Sequence, residues 1–300
     1  MKKFLLLQLF VLPLVMGSCQ EKASQKTYEN DAFKQYWYAG KAEINAYNLN
    51  QSRYGEPREG KAVLIFVTED FSKKKHVKLD DPSDAGSDKV SILKLNFSKK
   101  FITGIYPYSM MQSVFTPVIR DENPNTLKTT MSSQEWCGHV FTQMNLKDNG
   151  FDVKSYSYFE QEGDASFSIK NELMEDELWN IIRLDPAALP TGEIELIPGL
   201  FFTRLNHVDL KLQEATGSIS ETDSVVTYLV SFPSLQRKLS IRFEKHFPHK
   251  ILGWSEEFNE RGVLQLTTAT LDKTLVTDYW TKNKNKFQYL RDSLHLPLPY

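Results

Sequence analysis

Across residues 238–244 every second side chain is apolar, with Leu239, Ile241 and Phe243 alternating with Lys238, Ser240, Arg242 and Glu244. Leu93, Leu95 and Phe97 alternate in the same way with Lys94, Asn96 and Ser98, and Val208, Leu210 and Leu212 with Asp209, Lys211 and Gln213. Successive strand side chains point to opposite faces, so this pattern builds sheets with one packed face and one wet face, as antiparallel sheets have. Residues 62–68 form a continuous apolar run, which predicts a strand covered on both faces.

Turn chemistry separates these runs at short spacing. Residues 54–60, 147–150, 161–164 and 259–262 each carry Gly beside Asn, Asp, Glu or Pro, and read as hairpin connections. The strand–turn rhythm runs from about Tyr36 to Ile169 and resumes from Val208 to Leu275. Two helices interrupt it. Leu178, Ile181 and Ile182 lie at helical spacing in residues 175–184, which stop before Pro186; Trp280, Phe287, Leu290 and Leu294 form a stripe in residues 279–294. The expected fold is mainly β and antiparallel, a curved sheet or half-barrel in two β-rich segments, with a linking helix and a C-terminal helix. Two separate sandwiches are the alternative. The predicted organisation is a leader over residues 1–18, a tether over 19–30, a β segment over 31–172, a helix and Pro-rich connection over 173–198, a second β segment over 199–278, and a helix and tail over 279–300.

The N-terminus carries the clearest address. Lys2 and Lys3 precede an apolar stretch from Phe4 to Met16, followed by Gly17, Ser18 and Cys19. A basic start, a short apolar run and small residues describe a secretory leader. The ending Met16-Gly17-Ser18-Cys19 resembles the processing box of bacterial lipoproteins, which implies lipidation of Cys19 and attachment to a membrane by acyl chains. Gln20 stands where an aspartate would resemble the inner-membrane retention signal, so the outer membrane is the expected location. Removing Lys2 and Lys3 from 36 basic residues leaves 34 against 38 acidic ones, a net charge of −4 with no basic excess to suggest nucleic acid. With Cys19 lipidated, Cys137 is the remaining thiol of the 2 cysteines, and no disulfide can form within the chain.

Residues 36–44 (Tyr-Trp-Tyr-Ala-Gly-Lys-Ala-Glu-Ile), 60–70 (Gly-Lys-Ala-Val-Leu-Ile-Phe-Val-Thr-Glu-Asp) and 133–139 (Ser-Gln-Glu-Trp-Cys-Gly-His) resemble an uncharacterised family of bacterial envelope lipoproteins. Some of its members carry the label septum formation inhibitor Maf. Maf proteins are nucleotide pyrophosphatases with a Ser-x-Ser-Pro-Arg-Arg element near their start, and this sequence has none. The resemblance therefore implies a location rather than an activity.

Chemistry-bearing residues are few. Cys137 and His139, beside Glu135, Trp136 and Gly138, place a thiol and an imidazole two residues apart, the pair that activates a cysteine nucleophile; the competing expectation is a buried thiol packed beside Trp136. His246 and His249 are three apart, but Pro248 speaks for a turn, and zinc needs three or four ligands. Asp80, Asp84 and Asp88 supply oxygen ligands for calcium without the glutamate and register of an EF-hand. Glu256 and Glu257 point to opposite faces of a strand, and Glu160, Glu162 and Asp164 form a second carboxylate group. Tyr36, Trp37, Tyr38, Tyr106, Tyr108, Tyr156 and Tyr158 fall in strand-like segments; the last four are candidates for stacking on a sugar or lining a lipid groove, with Pro107 marking an edge or a break. No phosphate-binding loop, nucleophile elbow, zincin motif or dinucleotide fingerprint occurs, and no cofactor is implied. The expectation is a non-catalytic, lipid-anchored envelope protein that binds a lipid, a glycan or another envelope protein. An envelope hydrolase using Cys137 and His139 or a carboxylate pair, and a structural part of an envelope assembly, are the alternatives.

Overall fold

A computed structural model describes residues 30–297. The leader, Cys19 and most of the tether lie outside these residues. The chain opens with α1 (Asp31–Trp37), then β1 (Ala42–Arg53), β2 (Glu56–Ser72), β3 (Val77–Lys78), β4 (Lys89–Thr103), β5 (Tyr106–Pro117), β6 (Lys128–Glu135), β7 (Gly138–Lys147), β8 (Gly150–Ser157) and β9 (Ala165–Ile169). A crossing segment carries α2 (Glu175–Leu184), and after β10 (Gly192–Leu196) comes α3 (Leu200–Asn206). A second meander follows: β11 (Gln213–Glu221), β12 (Val225–Phe232), β13 (Arg237–Glu244), β14 (Ile251–Glu260) and β15 (Val263–Thr277), before the short α4 (Tyr289–Ser293).

The two β segments share one antiparallel sheet of 15 strands, ordered β10 through β15, then β1, β2 and β4 through β9, with β3 beside β2. The seam is β15 against β1, from Ala42 opposite Thr277 to Asn50 opposite Thr268. The sheet curves without closing: β9 and β10, each 5 residues long, remain its edges. Short edges limit the unpaired backbone offered to other chains. The packed face holds one continuous core, from Phe33 and Trp37 through Leu64, Leu95 and Met144 to Val230, Ile241 and Trp254. Residues 30–297 thus contain one continuous sheet with its own core.

The alternating runs at Leu93 and Leu239 form β4 and β13 as expected. Residues 62–68 are covered on both faces because α4 and the segment after it fold back onto the convex side. There Val63 and Ile65 pack with Ile44, Leu275, Leu294 and Leu296. The C-terminal stripe is broken: two single 3-10 turns, Tyr279–Thr281 and Asn285–Phe287, precede the helix proper. The intervening Lys282-Asn-Lys-Asn-Lys286 run combines weak helix formers with like charges.

Two other segments differ from expectation. Tyr36 and Trp37 end a helix rather than begin a strand, because the Asn30 side chain accepts from Ala32 N at 2.8 Å and Phe33 and Trp37, one turn apart, are both buried. Residues 208–212 alternate but form no strand, since β11 finds its partner only from Gln213, opposite Leu196. Pro107 interrupts nothing: it lies where β5 pairs with β4 alone, before β6 joins at Ser109.

Gly60 is fixed by a close approach. A Cβ there would meet Lys100 O at 2.3 Å and Phe101 Cβ at 2.9 Å. Gly60→Ala should therefore push β2 from β4 and cost about 1–3 kcal/mol, read as a lower urea midpoint.

Candidate functional site

The concave side of the sheet is filled by α2, whose 10 residues are all buried although five of them are Glu175, Asp176, Glu177, Asn180 and Arg183. Each of these side chains has at least one partner on the sheet, a loop or α3. Arg183 donates to both oxygens of Glu43 on β1, at 2.5 and 2.7 Å, and to Pro248 O at 3.0 Å. Burial alone would raise the Glu43 carboxyl, but the Arg183 charge and hydrogen bonds from Arg183, Asn45 and Tyr36 bring it down to about 2. Glu177 accepts from Thr126 N at 3.1 Å and Thr126 Oγ1 at 2.5 Å, and Asn180 Nδ2 donates to Leu93 O at 3.1 Å.

At the first turn of α2 lies a second cluster. Arg237 on β13 donates to Glu175 at 2.5 and 2.7 Å and to Glu256 on β14 at 2.7 Å. Lys99, Gln112 and Asp176 border the same small cavity of about 30 Å³. Burial, reinforced by the Glu175 charge, pushes the Asp176 carboxyl up to about 7, against the hydrogen bond from Leu200 N. Burial also pulls the Lys99 ammonium down, with Glu256 opposing. The cavity holds about one water, too little for an organic ligand. These ions seat the helix against the sheet.

Space for a ligand appears at the end of the sheet where α3 sits. A cleft of about 520 Å³ lies between the ends of β6–β9, α3 and residues 207–210. Met131, Val140, Ala165, Phe167, Leu200 and Leu210 make its apolar part, and Thr142, Ser155, Thr203, Arg204 and His207 its polar part. Glu162, in the loop after β8, organises the polar wall. It accepts from Arg204 Nη1 at 3.2 Å and from Ser157 Oγ at 2.7 Å, and pairs with His207 Nδ1 at 2.7 Å. The Arg204 guanidinium also lies 4.5 Å from the Phe159 ring centroid. His207, in the left-handed conformation with φ 52°, ends α3 and turns the chain across the mouth. The segment with the false strand signal, Val208 to Leu210, is thus a wall of the cleft.

The structure disperses the residues singled out from sequence. Cys137 and His139 are both exposed, in and just after the two-residue turn joining β6 to β7, and share no hydrogen bond among the described residues. Nor is the thiol packed under Trp136, which is itself exposed. A hydrogen bond to Glu135 and that residue's negative charge raise the thiol pKa, opposite to what a nucleophile needs. His246 and His249 lie in the loop between β13 and β14, with His249 held by Glu244 O at 3.2 Å. Asp88 receives Ser72 Oγ at 2.6 Å and Lys74 N at 2.8 Å, so it organises the Lys73–Lys75 turn, while Asp80 and Asp84 stay exposed. No group of three metal-capable side chains occurs among the described residues. Tyr108 is buried and stacked on Phe101 at 4.8 Å, with its hydroxyl 2.9 Å from that of Tyr54; Tyr106 is half-buried, and Tyr156 and Tyr158 are exposed.

No protein-family model matches the chain, and no curated protein matches it. A solved structure that is similar is the crystal structure of a beta-barrel-like protein of domain of unknown function DUF1849 from Brucella abortus. It is 8% identical, with a TM-score of 0.44 over 79% of this chain and 98% of that one.

In the sequence Glu162 is one of several carboxylates, and no local pattern pairs it with Arg204 or His207. They converge only because the crossing segment returns α3 to the mouth of the first meander. The available signal was the cluster Phe201, Phe202 and Arg204 after Gly199, a charge placed inside an apolar turn.

Proposed function

We propose that the protein is a lipid-anchored envelope protein that binds a ligand rather than transforming one, and that the ligand sits in the cleft at the mouth of the sheet. The cleft carries this reading. Its volume of about 520 Å³ falls in the range of small-molecule sites, and it pairs an apolar wall with a few convergent polar groups. A ligand with an apolar part and a hydrogen-bonding group, such as a lipid or a glycolipid, suits that division. The centre of the sheet is no rival location, since α2 and its ion pairs fill it. A lipid swallowed along the whole concave face, as a curved sheet alone would suggest, has no room.

Native mass spectrometry of the protein purified from its own envelope, followed by extraction of bound small molecules, tests the reading. We expect a stoichiometric species that is lost in Ala165→Trp, which places a large side chain in the cleft from the short edge strand β9. A species retained by that variant would place the site elsewhere, and a clean apo mass would overturn the small-ligand reading.

A further inference from the structure

The antiparallel path gives the sheet two rims with opposite chemistry. At one rim the connections are mostly polar: Asp148 between β7 and β8, Asp223 between β11 and β12, Lys245 between β13 and β14, Lys74 and Asp81 between β2 and β4, and Glu122 between β5 and β6, with Tyr38, Val77 and Trp280, each less than half exposed, the larger hydrophobics near it. At the other rim, which also holds the cleft, the tips are apolar. Two-residue turns place Tyr54 between β1 and β2, Ile105 between β4 and β5, and Trp136 between β6 and β7. Tyr158 follows β8, and Val263 and Leu264 follow the Arg261-Gly262 turn into β15. These side chains are among the most exposed large hydrophobics described: Ile105 is 82% exposed, Tyr158 74%, Trp136 69% and Leu264 67%.

Turn geometry does not ask for them. Two-residue hairpin turns favour Asn, Asp and Gly, and the glycines needed at positive φ are present as Gly55, Gly104 and Gly262. Tyr54 is tied back to the fold, its hydroxyl 2.9 Å from that of Tyr108 and its ring beneath Arg53, whereas Ile105, Trp136, Tyr158 and Leu264 present most of their surface outward.

We propose that this rim docks on the interface of a lipid bilayer, with the tips entering the headgroup region and the cleft opening toward the lipid. Trp and Tyr favour that depth because their rings are apolar and their N–H or O–H stays hydrated. The tips stand on separate turns with polar residues such as Glu135 and Arg261 between them. A fluid surface closes around each one separately, whereas a folded partner would need a matching socket for every turn. The charge around them points the same way. Glu56, Glu135, Glu160 and Glu260 outweigh Arg53 and Arg261 near the tips, so attraction to anionic lipid does not drive the contact. Chain length agrees as well. Although α1 starts at the polar rim, residues 19–30 can extend up to roughly 40 Å, about the length of β1, so an acylated Cys19 and the apolar rim can reach one membrane.

The test uses the chain from Gln20 to Tyr300, without the leader or Cys19, sedimented with phosphatidylcholine vesicles. Partitioning should fall at least about tenfold in the double variant Ile105→Ser, Trp136→Ser, since binding scales with the apolar area buried. Val77→Ser, on the polar rim, should partition like wild type. Brominated phosphatidylcholine should quench tryptophan emission in wild type, and Trp136→Phe should remove most of that quenching while still binding. The proposal is overturned if the wild-type chain stays in the supernatant, or if the double variant sediments like wild type. It is equally overturned if binding requires phosphatidylglycerol and disappears at about 0.5 M salt, which would assign it to charges elsewhere. None of these results depends on the cleft holding a ligand.

Discussion

Arg183→Met is expected to destabilise the fold by about 3–5 kcal/mol, because it leaves the Glu43 carboxylate buried without its partner. Both side chains of the pair are essentially inaccessible, at 0% and 1% exposure. Glu43→Gln should also be costly, because it leaves the buried guanidinium without a counter-charge, facing a neutral amide, Pro248 O and the rings of Trp37 and Phe66. The double variant should cost clearly less than the two single effects together, since no unpaired charge then remains. Urea unfolding of the four proteins in one cycle checks this, and additive losses would show that the pair is not coupled. The same pair sets the acid limit. The Glu43 carboxyl is lowered to about 2 from 4.5, so its stabilisation is complete above about pH 4.5 and disappears as pH falls through about 2.

Asp176→Asn should act in the opposite direction and over another pH window. The native carboxyl is raised to about 7, whereas in the unfolded chain it ionises near 4. The native state therefore holds a proton that the unfolded state has released, and this residue's contribution falls as pH rises from about 4 to about 7. A gap of about three units corresponds to about 4 kcal/mol. Asparagine stays neutral and can still accept from Leu200 N, which lies 3.2 Å from Asp176 Oδ2. The variant should match wild type near pH 4 and exceed it by about 2–4 kcal/mol at pH 8. Unfolding at the two pH values decides it; an equal difference at both would show that Asp176 does not titrate with folding.

Local signals identify several of the elements. Alternation at Leu93 and Leu239 identifies β4 and β13, and helical spacing ended by Pro186 identifies α2. What surrounds α2 is not a local property. Its apolar stripe reads as one buried face, while the partners of its charges, Glu43 and Arg237, lie far away in sequence and come together only through the sheet. The cleft was hidden for a related reason. Val208, Leu210 and Leu212 have strand periodicity, but a strand also needs a neighbour, and β10 is too short to offer one there. Among the aromatic candidates, Tyr108 serves the core and Tyr158 the surface, a distinction set by curvature and turn position rather than by residue type.

The β15–β1 seam has a consequence for how the chain reaches this state. The strand beside β1 on its open side is the last one made, so β1 must wait, with one row of backbone donors and acceptors uncommitted, until some two hundred further residues have emerged. Pairing over such a sequence distance is slow because loop closure must precede the contacts that reward it. While the chain is being made the first meander can form early, but its growing edge stays open to strangers until β15 arrives. The vulnerable interval of this protein's life is therefore set by the time needed to bring in its tail, and the seam is the stitch that ends it.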